Sequence, residues 1–198
     1  SNQMKKGKFS LLTAAQYTRT DNPRPDMGFQ QYGGFVKAGY KFSNAWNLSA
    51  NVNLTHFDAS NPGTVASPKI DNDQWITRGN AGLTLANDYS WTFGALNVYD
   101  NFGYHKIDDG YDLGKAPQTD LFHSKDALAG VAWYQSFRCF KGNQITVGLD
   151  YQHIYGHAWY VNKETKEVVL TPKRKMQSTD THANEWAGYV DFRQEIAD

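Results

Sequence analysis

The chain has a single cysteine, Cys139, so an internal disulfide framework is excluded. It carries no net charge: 20 Lys and Arg balance 20 Asp and Glu. Nothing in that balance points to nucleic acid or to an acidic surface as partner. No apolar run approaches the ~18 residues of a transmembrane helix, and mean hydropathy is −0.66. There is no Gly-x-Ser-x-Gly elbow, His-Glu-x-x-His, phosphate loop or dinucleotide fingerprint. The expectation is a protein that is not an enzyme and has no resident cofactor. Periodicity predicts no helix, and no low-complexity tract or linker divides the chain, so one domain spans 1–198. The first eight residues lack the apolar stretch of a signal peptide. The last four, Glu195-Ile-Ala-Asp, still read as strand, and the whole reads as a piece of a longer protein.

What the chain does have is alternation. From Trp46 to His56, Trp46, Leu48, Ala50, Val52 and Leu54 take one parity, and Asn47, Ser49, Asn51, Asn53 and Thr55 the other. A strand throws successive side chains to opposite faces, so this stretch has an apolar face and an amide-and-hydroxyl face. Its length is roughly the 9–11 residues that a tilted strand needs to cross a bilayer. A low mean hydropathy does not oppose this, because half of each barrel strand faces water.

Seven further segments read as extended: 8–18, 29–42, 74–86, 89–105, 121–140, 144–155 and 184–196. In six of them the parity is plain, as where Val131, Trp133 and Phe137 oppose Tyr134, Ser136 and Arg138. The fifth in chain order is not plain. Trp91, Phe93 and Ala95 share one parity while Leu96 and Val98 take the other, which suggests a bulge. Tight turns are expected at Ser43-Asn44, Asn87-Asp88 and Lys141-Gly142-Asn143. Long connections, at 19–28, 57–73, 106–120 and 156–183, alternate with them, and 162–170 reads as a hairpin tip inside the last. Short turns at one end and long loops at the other are the habit of outer-membrane barrels. Aromatics gather at both ends: Phe42, Trp46, Tyr89, Trp91, Phe137 and Phe140 by the tight turns, Tyr32, Trp75, Tyr104, Tyr155, Trp159 and Trp186 toward the long ones. Two such belts suit a membrane. The fold class expected is all-β: an antiparallel up-and-down meander of about eight strands, part of a transmembrane-type barrel or closing as one.

Three stretches then resemble the TonB-dependent receptors of the bacterial outer membrane, especially those of the Bacteroidetes type. They are Gly94-Ala-Leu-Asn-Val-Tyr-Asp-Asn-Phe-Gly-Tyr-His-Lys-Ile, the run from Trp133 to Gln152, and Asn184-Glu-Trp-Ala-Gly-Tyr-Val-Asp-Phe-Arg-Gln-Glu. The resemblance implies a slice of a twenty-two-stranded barrel with a plugged lumen. It also implies uptake of a scarce nutrient such as a metal chelate, siderophore, haem or cobalamin. The partners it implies are outer-membrane lipid and, in the intact parent, a plug domain and TonB. No plug and no energy-coupling box stand in this sequence, so the chain alone should not transport. Two alternatives remain: a self-contained eight-stranded outer-membrane barrel with a structural or adhesive role, or a soluble β-barrel that binds a small apolar ligand.

Candidate ligand residues lie toward the long connections: His56, His105, His153, His157, Trp159, Tyr160, Lys173 and Arg174. The six histidines, His123 and His182 included, lack tight ligand spacing, so no metal site is assigned. His153 and His157 are ~13 Å apart along a strand, too far for one ion. Asp108, Asp109 and Asp112 lack the order of a calcium loop. The run Lys173-Arg174-Lys175 suits a phosphate or an anionic chelate, and equally a solvated loop. Asn51, Asn53, Arg78, Asn80, Arg138, Asp150, Asp191 and Arg193 fall on the polar parity and are expected to line a wet interior. Cys139 reads as a small hydrophobe without a redox role.

Overall fold

The computed structural model describes residues 1–196. Nine strands follow in chain order: β1 (Asn2–Lys6), β2 (Phe9–Thr20), β3 (Phe29–Lys41), β4 (Trp46–Ser60), β5 (Lys69–Asp88), β6 (Thr92–Asp112), β7 (Asp120–Phe137), β8 (Asn143–Asn162) and β9 (Thr179–Gln194). Each pairs antiparallel with the next, in one sheet of order β1 to β9. β1 and β9 are not neighbours, so the sheet is open.

Register turns the sequence parity into two faces, because directly opposed residues point to the same side. One row runs Tyr40, Leu48, Leu85, Leu96, Trp133, Leu149. The next runs Ala38, Ala50, Leu83, Val98, Val131, Tyr151. In every strand but β6, the apolar parity read from the sequence lands on this one apolar face. The polar face carries Asn53, Asn80 and Asn101 as direct neighbours on β4, β5 and β6.

Four sequence expectations are corrected. A ninth strand, β1, pairs with the lower part of β2, where about eight strands were expected. The suspected bulge is absent, since one register holds β6 to β7 from Thr92 to Ile107. Leu96 and Val98 are therefore on the apolar face, and Phe93 on the other, beneath Arg138. The turn expected at Asn87-Asp88 is moved to residues 89–91, because both residues pair with β6. A short helix, α1 (Pro172–Gln177), forms in the last connection where none was expected. Thr171 caps it by accepting from Arg174 N, and a proline stands in its first turn.

The long connections are shorter than the sequence suggested, at residues 21–28, 61–68, 113–119 and 163–178. The strands continue into them, β6 to 21 residues and β5 and β8 to 20. The hairpin tip is there as expected: Val161 bridges Val168, and Val169 N donates to Tyr160 O at 2.9 Å. Close approach explains two glycines on the polar face. A Cβ at Gly130 would meet the Tyr99 ring, and one at Gly148 the Tyr189 ring.

There is almost no core. Among the described residues the buried hydrophobics are Leu121 and Tyr160. The large apolar side chains stay open on the apolar face, as with Leu149 at 60% exposed, Val190 at 73% and Trp186 at 79%.

Candidate functional site

The chemistry gathers at the rim of the long connections, and strand parity divides it between the two faces. His153, His157 and Trp159 are on the apolar face of β8, and Tyr160 is on the opposite one. His56 is on the apolar face and His105 on the polar face. The eight candidate ligand residues therefore do not converge on one pocket.

On the polar face Arg78 of β5 reaches across β6 to Asp126 of β7. Its two terminal nitrogens donate to the two carboxylate oxygens at 3.0 and 2.9 Å. Gly103 of β6 lies under the bridge, where a Cβ would come within 2.5 Å of Arg78 Nη1 and 2.6 Å of Asp126 Oδ1. The bidentate fork therefore needs glycine at that rung. Arg78 Nη1 also donates to His105 Nε2 at 3.2 Å. Arginine has no acceptor, so the imidazole proton lies on Nδ1, and Nδ1–H donates to Ser124 Oγ at 3.3 Å. Ser124, His105 and Asp126 thus do not form a nucleophile with its base: the imidazole offers the serine a proton rather than taking one, and the arginine occupies the carboxylate.

Above this clamp the last connection is tied down twice. Arg174 Nε donates to Asp120 Oδ2 at 3.0 Å, and its guanidinium lies 3.8 Å over the Tyr160 ring. Tyr160 in turn meets Phe122 edge-on at 5.5 Å. Lys163 pairs with the buried Asp108. Lys173 and Lys175 remain exposed on the helix. Asp112 pairs with Lys69 at 2.8 Å, and that bond holds its carboxyl below the ordinary range. Asp108 and Asp112 of the acidic run are thus each paired with a lysine, and among the described residues no group of three or more His, Cys, Asp or Glu is placed to hold a metal.

On the apolar face, Trp159 is sandwiched between His123 at 5.5 Å and His157 at 4.8 Å. Tyr104 Oη bonds His123 Nδ1 at 2.7 Å. Burial, and then the Lys106 charge, hold the His123 imidazole below its ordinary range. The Lys106 ammonium sits 4.3 Å over Trp75, and Lys125 5.5 Å over Tyr155. His56 bonds Thr77 Oγ1 at 2.7 Å and Asp58 Oδ1 at 3.0 Å. His153 Nδ1 bonds Asn184 Oδ1 at 2.8 Å. This is a continuous band of aromatic, imidazole and ammonium groups across β4 to β9.

Asn51, Asn53, Arg78, Asn80, Asp150, Asp191 and Arg193 do share the polar face. Arg138 shares it as well, with its guanidinium 4.6 Å over the Phe93 ring at the edge of that face. β7 ends at Phe137, and Arg138 turns across the tight-turn rim to donate to Ser90 O at 3.0 Å. Trp46 Nε1 joins the same rim by donating to Tyr89 Oη at 2.7 Å. Cys139 is exposed in the β7–β8 turn rather than packed as a hydrophobe. Sequence reading missed Asp126, Asp120 and Ser124. Parity in β7 puts all three on the face of Arg78 and His105, but only register sets Asp126 and Ser124 beside that pair and Asp120 beside Arg174, and register has no one-dimensional mark. Compared with family models and with curated proteins, the chain matches none.

Proposed function

We propose that this sheet is a membrane-spanning wall whose apolar face meets lipid and whose polar face meets water. The observation that carries it is the missing core: one meander, large apolar side chains open on one face, and amides on the other. A soluble sheet would bury that face against a second layer. The dimensions agree. Counted up from the tight turns, the apolar face gives way to Tyr32, His56, Tyr104, Lys125 and Asn184 after roughly the span of a bilayer crossing. Aromatic pairs mark the lower margin too, as Trp46 with Tyr89 and Trp91 with Phe137.

Within that class, the reading is a portion of an outer-membrane receptor of the TonB-dependent kind. The long connections receive a scarce nutrient outside, and the polar face forms part of the lumen. The open sheet favours this over a self-contained barrel, since closure would have to come from further strands. The parent binds and imports a metal chelate, haem, cobalamin or a similar compound.

Cysteine scanning in the membranes of producing cells tests the wall, in a Cys139→Ser background. Val52→Cys and Leu54→Cys should react with a lipid-phase probe, and Asn51→Cys and Asn53→Cys with a water-soluble maleimide. Labelling of all four from water would end the membrane reading. Binding of a ferric siderophore, haem and cobalamin to those membranes tests the nutrient class. Absence of saturable binding for all three would remove it.

A further inference from the structure

Two cations at the upper margin of the apolar face meet no anion. Lys106 of β6 faces His123, and Lys125 of β7 faces Tyr104, so the two lysines are diagonal neighbours on adjacent strands. Such positions are ~7–8 Å apart, within reach of two long side chains converging on one small group. The Lys106 ammonium lies over Trp75 and the Lys125 ammonium over Tyr155, and no hydrogen bond or ion pair reaches either among the described residues. A ring face attracts the charge but gives the three N–H donors no acceptor atom.

The carboxylates nearby are engaged elsewhere. Asp108 pairs with Lys163, Asp58 holds His56, and Asp73 accepts from Ser60 Oγ. Asp100 is four residues below Tyr104 on β6, ~13 Å along the strand. What the two lysines call for is a compact anion with several acceptor oxygens, and phosphate has that chemistry.

The surface below them selects what carries the phosphate. Under Lys125, β7 presents Ala127 and then Ala129 on the apolar face. Phe102 faces Ala127 from β6, but its ring leans away over Gly79 of β5, where an added Cβ would come within 2.5 Å of its Cζ. Tyr155 faces Ala127 from the other side, on β8. A lane over small side chains therefore runs from the lysines down the apolar face. A soluble anion gains nothing from it, whereas an acyl chain packs along it. The height agrees, since Tyr104 and Lys125 stand where the apolar face gives way, the level of lipid headgroups.

We propose that Lys106 and Lys125 bind the phosphate of an anionic membrane lipid whose acyl chain lies over Ala127 and Ala129. The ammonium groups keep their rings and give their free N–H groups to phosphate oxygens. The basic helix is not this site, because its Arg174 is held by Asp120 and Tyr160. This inference rests on the membrane reading above.

The test is photolabelling in the membranes of producing cells, with phosphatidic acid and phosphatidylcholine that carry the same photoreactive acyl chain. Phosphatidic acid should label β7 about tenfold more than phosphatidylcholine does. Lys106→Gln with Lys125→Gln should remove that preference, Lys106→Arg with Lys125→Arg should keep most of it, and Lys173→Gln with Lys175→Gln should leave it unchanged. Unlabelled phosphatidic acid should compete, and glycerol 3-phosphate should not. Equal labelling by the two lipids, a preference that survives the glutamine pair, or one lost equally in the arginine pair would each overturn the site. Competition by glycerol 3-phosphate would overturn the lipid as occupant in favour of a soluble anion. If the glutamine pair fails to insert, the two-lipid comparison and the competition in the unsubstituted chain decide. Lipid-phase labelling of Val52→Cys, in the Cys139→Ser background, separates the two readings. Labelled Val52 without a phosphatidic acid preference removes only the lipid site, whereas unlabelled Val52 removes the membrane wall beneath it.

Discussion

Single atoms decide the two most telling arrangements. The Arg78–Asp126 fork exists because Gly103 has no Cβ. Both partners are near half exposed, at 50% and 41%, so the pair itself stabilises little. Asp126→Ala should cost under about 1 kcal/mol in a urea titration. Gly103→Val should cost more, since it displaces both side chains and the neighbouring imidazole; an equal or smaller loss would show the bridge to be incidental. His123 gives a second prediction. It lies above the apolar band, and burial favours its neutral form, so its midpoint falls below the ordinary value near 6.5. A lowered folded pKa adds stability above the ordinary value, and that stability is lost as pH falls through the lowered one. NMR titration should find the midpoint below 6.5, and Lys106→Gln should move it partway back. A midpoint above 6.5 would contradict the assigned burial. Little at this scale was legible beforehand. Arg78 and His105 were singled out by type and parity, but Asp126 looked like any strand carboxylate.

The turns and the last connection act as units. Gly142 holds φ at +72° in the β7–β8 turn, a conformation that side chains with a Cβ enter at a cost of about 1–2 kcal/mol. Gly142→Ala should lower the urea midpoint accordingly. Gly28→Ala, with nothing within 4 Å of the added carbon, should leave it unchanged. The helix Pro172–Gln177 is held by one arginine. Arg174→Ala should open residues 163–178 to limited proteolysis, and Lys173→Ala should not. Equal protection in both variants would mean that the Lys163–Asp108 pair suffices. This helix escaped sequence reading because six residues show no periodicity, and its order comes from Asp120 and Tyr160, far away in sequence. The β5–β6 turn slid by two residues for a related reason. Asn87 and Asp88 have turn chemistry, yet their backbones are worth more in the ladder, facing Gly94 and Phe93.

For the whole molecule, alternation proved the strongest guide, because period 2 survives whatever the neighbours are. The faces of β2 to β5 and β7 to β9 followed from parity alone. Only β6 misled, since Phe93 is an aromatic on the polar face. The apolar face should be intolerant in a depth-dependent way. Leu83→Arg should cost about 2–4 kcal/mol near the bilayer middle, and Asn80→Arg on the opposite face close to nothing. Equal losses would mean that both faces see the same medium.

The borders of the sheet are unequal. β1 offers five residues of ladder and β9 sixteen. Zipped together, they would leave most of the rungs on β9 empty, along with the stretch of β2 from Ala14 upward that β1 never reaches. Any backbone that pairs with these borders therefore meets a step on one side and a full-height post on the other.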